Sequence, residues 1–246
     1  MEWVDQGIVL SARRHGESSV IATLLTRAHG CHAGLVRGGA GKRARGILQP
    51  GNKVEARWRA RLAEHLGTMM CELTHPYAAA VMDDADRLAA LSSACALTEA
   101  ALPEREAHEA VYDGLLVLLE AIESNDWPTV YVHWEIGLLG ELGFGLDLSE
   151  CAATGRNDQL AYVSPKSGRA VSLAAGEAYE NKLLPLPAFL VSIDGKGDVS
   201  EMSEVADGLR LTGYFLERHV LSHHDKGLPA ARRRLAARLN KYKQRE

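Results

Sequence analysis

Apolar positions in the first eighty residues fall in short, mostly alternating stretches bounded by glycine, proline and charged turns, with no period long enough for a packed helix. That pattern predicts strands at residues 7–11, 20–25, 34–37, 52–62 and 68–73. The fourth has a period of two: Lys53, Glu55, Arg57, Arg59 and Arg61 on one face, Val54, Ala56, Trp58, Ala60 and Leu62 on the other. Five short strands in this length fit a small Greek-key barrel of the OB type, with an SH3-like barrel as a close alternative.

From residue 81 the texture is helical. Met82-Asp83-Asp84 places acidic residues at a first turn, where they suit the helix macrodipole, and Leu88, Leu91, Cys95, Thr98 and Leu102 keep helical spacing up to Pro103. A second stripe comprises Val111, Leu115, Leu118, Leu119 and Ile122. A third helix is predicted from Asn125 or Asp126 with Pro128, through Ile136 and Leu139, to the glycines of Leu142-Gly143-Phe144-Gly145-Leu146. Residues 148–187 lack a helical period and are dense in turn formers, above all Ser164-Pro165-Lys166-Ser167-Gly168, so they read as a compact loop or hairpin excursion. A helix over 205–220 and a basic segment from Pro229 complete the chain. The expected architecture is α+β and multidomain: a barrel over 1–80 and a helical domain over 81–246 that contains the insertion.

The net charge of −4 hides a division that changes the picture. Residues 1–80 carry 11 Lys/Arg against 6 Asp/Glu, residues 81–150 carry 2 against 15, and residues 151–246 carry 15 against 11. Basic ends suit polyanions, and an acidic middle suits protein partners or solubility. No apolar run reaches the ~18 to 20 residues of a membrane span, and the start has no signal-peptide pattern, so the expected location is cytoplasmic. The cysteines Cys31, Cys71, Cys95 and Cys151 are scattered, which argues against a disulfide framework.

No catalytic constellation is visible. There is no nucleophile elbow, and in His223-His224-Asp225 adjacent side chains point apart on any regular element. The glycines around Gly38-Gly39-Ala40-Gly41-Lys42 miss the phosphate-loop pattern, because Arg43 stands where Ser or Thr is required. The simpler account is a flexible basic loop in which Arg37, Lys42, Arg43 and Arg45 contact phosphates, with a mobile solvated loop as the bland alternative. Arg57, Arg59 and Arg61 form a second candidate DNA-binding face, or an ordinary solvated strand, and Trp58 points the other way into the barrel. The run Arg232-Arg233-Arg234 to Lys243 fits a further polyanion contact and a soluble tail equally well.

In order and spacing, Gly7-Ile8-Val9-Leu10, His15-Gly16-Glu17-Ser18-Ser19, Leu25-Thr26-Arg27 with His29-Gly30, Val36-Arg37-Gly38-Gly39 and Leu48-Gln49-Pro50-Gly51 resemble the N-terminal domain of the RecO family of bacterial DNA repair proteins. Further on, Gly143-Phe144 with Leu146, then Cys151, then Ser164-Pro165 with Gly168 resemble the entry to that family's zinc-ribbon-like insertion. The resemblance implies an OB-fold joined to a helical domain, acting without catalysis as a recombination mediator. Such a protein binds single- and double-stranded DNA, anneals complementary strands, engages single-stranded-DNA-binding protein and, with the partner RecR, helps load the RecA recombinase. An OB-type RNA- or tRNA-binding module is the alternative, since a barrel gripping phosphates does not by itself distinguish RNA from DNA.

One departure stands out. Where many members of that family carry two Cys-x-x-Cys pairs, this chain has Cys151-Ala152-Ala153-Thr154 and, at or one residue from the second position, Ser172-Leu173-Ala174-Ala175. One thiolate does not close a four-ligand zinc site, so no metal and no cofactor is expected. The resemblance also implies a partner with an acidic, apolar tail, which needs an apolar pocket with a basic rim. Arg210, Phe215, Leu216 and Arg218, with Arg232, Arg234 and Leu235, are the candidate surface, against the alternative that Phe215 and Leu216 are core residues.

Overall fold

A computed structural model describes residues 1–191, 202–222 and 227–243. The alternating segments become β1 (Glu2–His15), β2 (Ser19–Thr26), β3 (Gly30–Val36), β4 (Lys53–Arg59) and β5 (Thr68–His75). They close into a barrel in the order β1-β2-β3-β5-β4, antiparallel throughout except for one parallel pair, Leu35 opposite Thr68, where β3 meets β5. β1 is longer than its apolar stretch because it serves two neighbours, pairing with β4 over residues 2–8 and with β2 over 7–15. A register shift between Val9 and Ser11 lets it bend. Val9, Val20, Ala22, Leu24, Val54, Ala56, Trp58 and Met69 fill the interior, where the alternation of β4 puts Val54, Ala56 and Trp58 inside and Glu55, Arg57 and Arg59 in solvent.

Two local expectations are corrected. β4 ends at Arg59, so Arg61 and Leu62 are exposed in the following turn and do not extend the strand face. The chain leaves there to close over the Trp58 indole, which donates to the Leu66 carbonyl at 2.9 Å. Gly67 (φ +66°) makes the closure possible, since a Cβ there would lie 2.6 Å from Trp58 Nε1. The basic stretch after β3 is a hydrogen-bonded turn over residues 37–41 followed by a short helix, α1 (Lys42–Ile47), in place of a flexible loop. The turn is tied by Ala40 N–H to the Ser18 carbonyl (3.0 Å) and Gly41 N–H to the Gly38 carbonyl (3.0 Å). The buried Asn52 amide donates to the Gly46 (2.9 Å) and Ile47 (3.2 Å) carbonyls at the end of α1. Its oxygen accepts from Ala78 N–H (3.1 Å) in α2 (Tyr77–Ala80).

The chain divides into two compact units, Met1–Glu123 with Pro229–Arg232, and Ser124–Leu228 with Arg233–Glu246. The first holds the barrel, α2, α3 (Ala85–Ala101) and α4 (Glu109–Ala121). Asp84 caps α3 by accepting from the amides of Asp86 (2.9 Å) and Arg87 (3.1 Å), so Asp83 and Asp84 both precede the first turn and Asp84 serves as the cap. Leu91, Cys95, Thr98 and Leu102 are buried as expected, while Leu88 is exposed. Both helices are pinned to the barrel: Ser11 Oγ donates to Glu99 (2.8 Å), and Arg27 pairs bidentately with Asp113 (2.8 and 2.9 Å) with its guanidinium over the Tyr112 ring.

The second unit starts with α5 (Trp127–Glu141), which carries Pro128 in its first turn and stops before Gly143 (φ +85°). Its buried Glu135 accepts from Thr212 of α6 (Met202–Phe215), which continues as a π turn over Leu216–Val220. The insertion forms a small sheet in the order β7-β6-β8, from β6 (Leu160–Val163), β7 (Ala170–Ser172) and β8 (Leu184–Pro185). Ser164 to Gly168 is the β6–β7 turn, with Gly168 N–H on the Ser164 carbonyl at 2.9 Å. The last helix, α7 (Ala230–Lys243), buries Leu235 and Leu239. No helix among the described residues is long and apolar enough to cross a membrane.

Candidate nucleic-acid interface

Arg37, Lys42, Arg43 and Arg45 are all exposed on the turn and α1, and Arg14 at the far end of β1 is exposed beside them: it lines a cleft with Arg45. None of these five side chains makes a hydrogen bond or ion pair among the described residues, whereas Arg13, the neighbour of Arg14, is drawn to Glu99 at 3.4 Å. Arg14 was not foreseen as part of the set. The Arg13-Arg14-His15 run was its only signal, and the strand period assigns one of the two arginines to each face without saying which is free. Lys42 and Arg45, three residues apart, share a face of α1. Their backbone support is the network of Asn52, Ser18 and Gly38 described above, so the cations stand on a fixed platform.

The β4 arginines sit in a different electrostatic setting. Across the outer face of the sheet Glu2 lies opposite Arg59, Val4 and Met70 flank Arg57, and Glu55 pairs with Glu72. Three carboxylates thus dilute the positive charge of this face, and Arg61 lies outside the strand. A single-strand reading of β4 shows Glu55 but cannot reveal Glu2 and Glu72, because they come from β1 and β5.

At the insertion, Cys151 is buried and its Sγ lies 3.4 Å from Ser172 Oγ and 3.3 Å from the Ser172 amide. Burial pushes this thiol up, but hydrogen bonds from Ser172, Thr154 and the amides of Ser172 and Ala153 outweigh it and hold it at about 6. Three of the four positions matched to zinc ligands in the sequence therefore converge, as one thiol and two hydroxyl side chains. Among the described residues no group of three or more His, Cys, Asp or Glu side chains is placed to hold a metal ion. Burial pushes the thiols of Cys31, Cys71 and Cys95 up to about 12, which disfavours the thiolate.

Of the residues considered for a protein partner, Arg210 and Arg218 are exposed, but Phe215 and Leu216 are buried and belong to the core of their unit. Apolar side chains at helical spacing face inward here, which corrects the expectation that these two form a docking surface. Arg232 is buried, Arg234 is exposed, and Leu235 is buried. The His223-His224-Asp225 cluster lies outside the described residues.

A closed barrel presenting cations unpaired among the described residues, followed in one chain by helices with a small sheet inserted, defines a two-part class of protein, and comparison with known families divides the chain just after the barrel, ahead of the boundary between its two compact units. A family model described as "Recombination protein O N terminal" matches residues 1–77, and one described as "Recombination protein O C terminal" matches residues 82–229. The DNA repair protein RecO of Rhodospirillum centenum is 57% identical over 243 residues, covering 98% of this chain and 96% of the relative. Those of Rhodospirillum rubrum (53% over 249 residues, 98% of each chain) and Methylocella silvestris (47% over 245 residues, 100% of this chain and 98% of the relative) are similarly close in extent. The chain belongs to the RecO family.

Proposed function

We propose that this chain is a DNA-binding recombination mediator of recombinational repair, in which an OB-type barrel grips the phosphodiester backbone and no covalent chemistry takes place. The observation that carries this reading is the set of five cations unpaired among the described residues, Arg14, Arg37, Lys42, Arg43 and Arg45, on and beside α1. Such side chains release counterions from any sequence, which suits a protein that handles single and double strands alike. Arg57, Arg59 and Arg61 act as secondary contacts. The acidic stretch over 81–150 repels DNA and leaves strand contact to the barrel. Annealing follows because a cationic platform neutralises both strands as they approach, and single-stranded-DNA-binding protein, RecR and, through them, RecA are the protein partners the family membership supports. The exposed Arg210 and Arg218 supply positive charge for an acidic tail. Complementary oligonucleotides coated with single-stranded-DNA-binding protein should anneal faster with this protein than without it. Unchanged annealing, or a strong preference for RNA over DNA of the same sequence in competition, would overturn the reading and favour an RNA-binding module.

A further inference from the structure

Between Arg14 and Arg45 lies a cleft of about 210 Å³ whose apolar lining includes Val20, Leu48 and Pro50. It is smaller than the ~300 Å³ at which whole small-molecule sites begin, so it accepts one planar group and not a whole ligand. Its wall is built before anything binds. A Cβ on Gly39 would lie 2.9 Å from both Val20 Cβ and the Val36 carbonyl oxygen, and Ala40 is tied to Ser18 across the turn. Gln49 lines the cleft with its amide nitrogen donating to the Arg45 carbonyl at 3.0 Å, which leaves its side-chain oxygen as an acceptor. No carboxylate among the described residues lines it.

We propose that this cleft receives one unstacked nucleobase of single-stranded DNA, while Arg14 and Arg45 hold the phosphates on either side of it. The proposal rests on the DNA-binding reading above and adds the source of discrimination between single and double strands. An apolar lining favours the face of a base, and planar guanidiniums match phosphate oxygens bidentately. The cations continue along α1, where Lys42 shares the face of Arg45, so the occupant is an extended polyanion. The acidic side chain of a peptide would neutralise only one of them. A base within a duplex is stacked and paired, and entering the cleft would cost several hydrogen bonds and stacking contacts. A single strand pays much less.

The test compares three probes on the full chain: an oligothymidylate, a strand of the same length with abasic sugars throughout, and a duplex. The wild-type protein should bind the oligothymidylate roughly 5- to 160-fold more tightly than the abasic strand, the range expected for one stacked base. Ala12→Leu narrows the cleft from an exposed position on β1 with an aliphatic side chain, which removes no charge and offers no ring on which a base could stack. It should abolish that preference and leave affinity for the abasic strand and the duplex within about twofold. Equal binding of oligothymidylate and abasic strand by the wild type overturns the proposal with no variant needed, as does a preference that survives in a folded Ala12→Leu. A cleft that belongs to a peptide would show itself if Ala12→Leu lost binding to an Asp/Phe-rich peptide and kept its base preference, which also overturns the proposal. In each of these outcomes salt-dependent DNA binding persists. Only loss of all DNA binding by the wild type would count against the broader function.

Discussion

Replacing Arg37, Lys42, Arg43 and Arg45 together by alanine removes four exposed cations that have no partner among the described residues, so nothing inside the protein is left unpaired by the change. Each phosphate contact contributes about 0.7 to the slope of log K against log salt on single strands and about 0.9 on duplex. If all four contact the backbone, the slope should flatten by about 3 on single strands and about 3.6 on duplex. Between roughly 50 and 200 mM salt, the wild type should then lose about fifty-fold more single-strand affinity than the variant. Fluorescence anisotropy of a labelled oligonucleotide across a salt series reads this directly, with the thermal midpoint as the check that the barrel is intact. The pair Arg57→Ala, Arg59→Ala is the internal comparison. Glu2, Glu55 and Glu72 share that face, so its slope should change by less than about 1.4, the value for two full contacts. An unchanged slope in the quadruple variant, or a larger change in the β4 pair, would refute the assignment.

Asn52→Ala strips the Gly46 and Ile47 carbonyls and the Ala78 amide of their partner, which should cost about 1 to 3 kcal/mol and lower the thermal midpoint by about 2–4 °C for each kcal/mol. Because the same side chain holds α1, DNA affinity should fall although no charge is lost; unaltered stability and affinity would contradict its role. His32 is buried, and burial, with lesser contributions from the charges of Arg105 and His29, pushes it down to about 4. The unfolded chain, with His near 6.5, binds more protons between those values, so the contribution of this site to stability is fully present above about 6.5 and is lost as pH falls towards 4. His32→Phe should flatten the acid limb of a stability-against-pH curve, and an identical limb in the variant would assign the loss to other groups. Purified protein should contain no stoichiometric zinc and keep its thermal midpoint in chelator, since Cys151 is met by Ser172 and Thr154 instead of further thiolates; about one zinc per chain by elemental analysis would show this wrong.

The elements were legible in the chain wherever a single segment holds its own signal. The alternation of β4, the stripe from Leu91 to Leu102 and the glycine that ends α5 all survive folding, because each depends on one period or one φ value. What depends on a second segment was not legible. The parallel contact of β3 with β5 rests on one residue pair, and no local pattern announces it. The glycine-rich stretch reads as a loop until Asn52, six residues beyond Gly46, is seen to hold its carbonyls. Arg57 and Arg59 read as a cationic face diluted by Glu55 alone until β1 and β5 bring Glu2 and Glu72 beside them. Phe215 and Leu216 carry the same letters whether they form a surface or a core, and only the packing of their unit decides for the core.

The bent first strand has a consequence for how the barrel comes apart. β1 is hydrogen-bonded to β4 through its first half and to β2 through its second, and only Gly7 and Ile8 are registered with both. Fraying from the leading end opens the seam with β4 and leaves the β1–β2 hairpin whole, and fraying from the other end opens the hairpin and leaves the seam. Neither event releases the two shared residues. Their amides should therefore be among the last of the barrel to exchange with deuterium, in step with global unfolding, while those near Glu2 and His15 exchange through local opening.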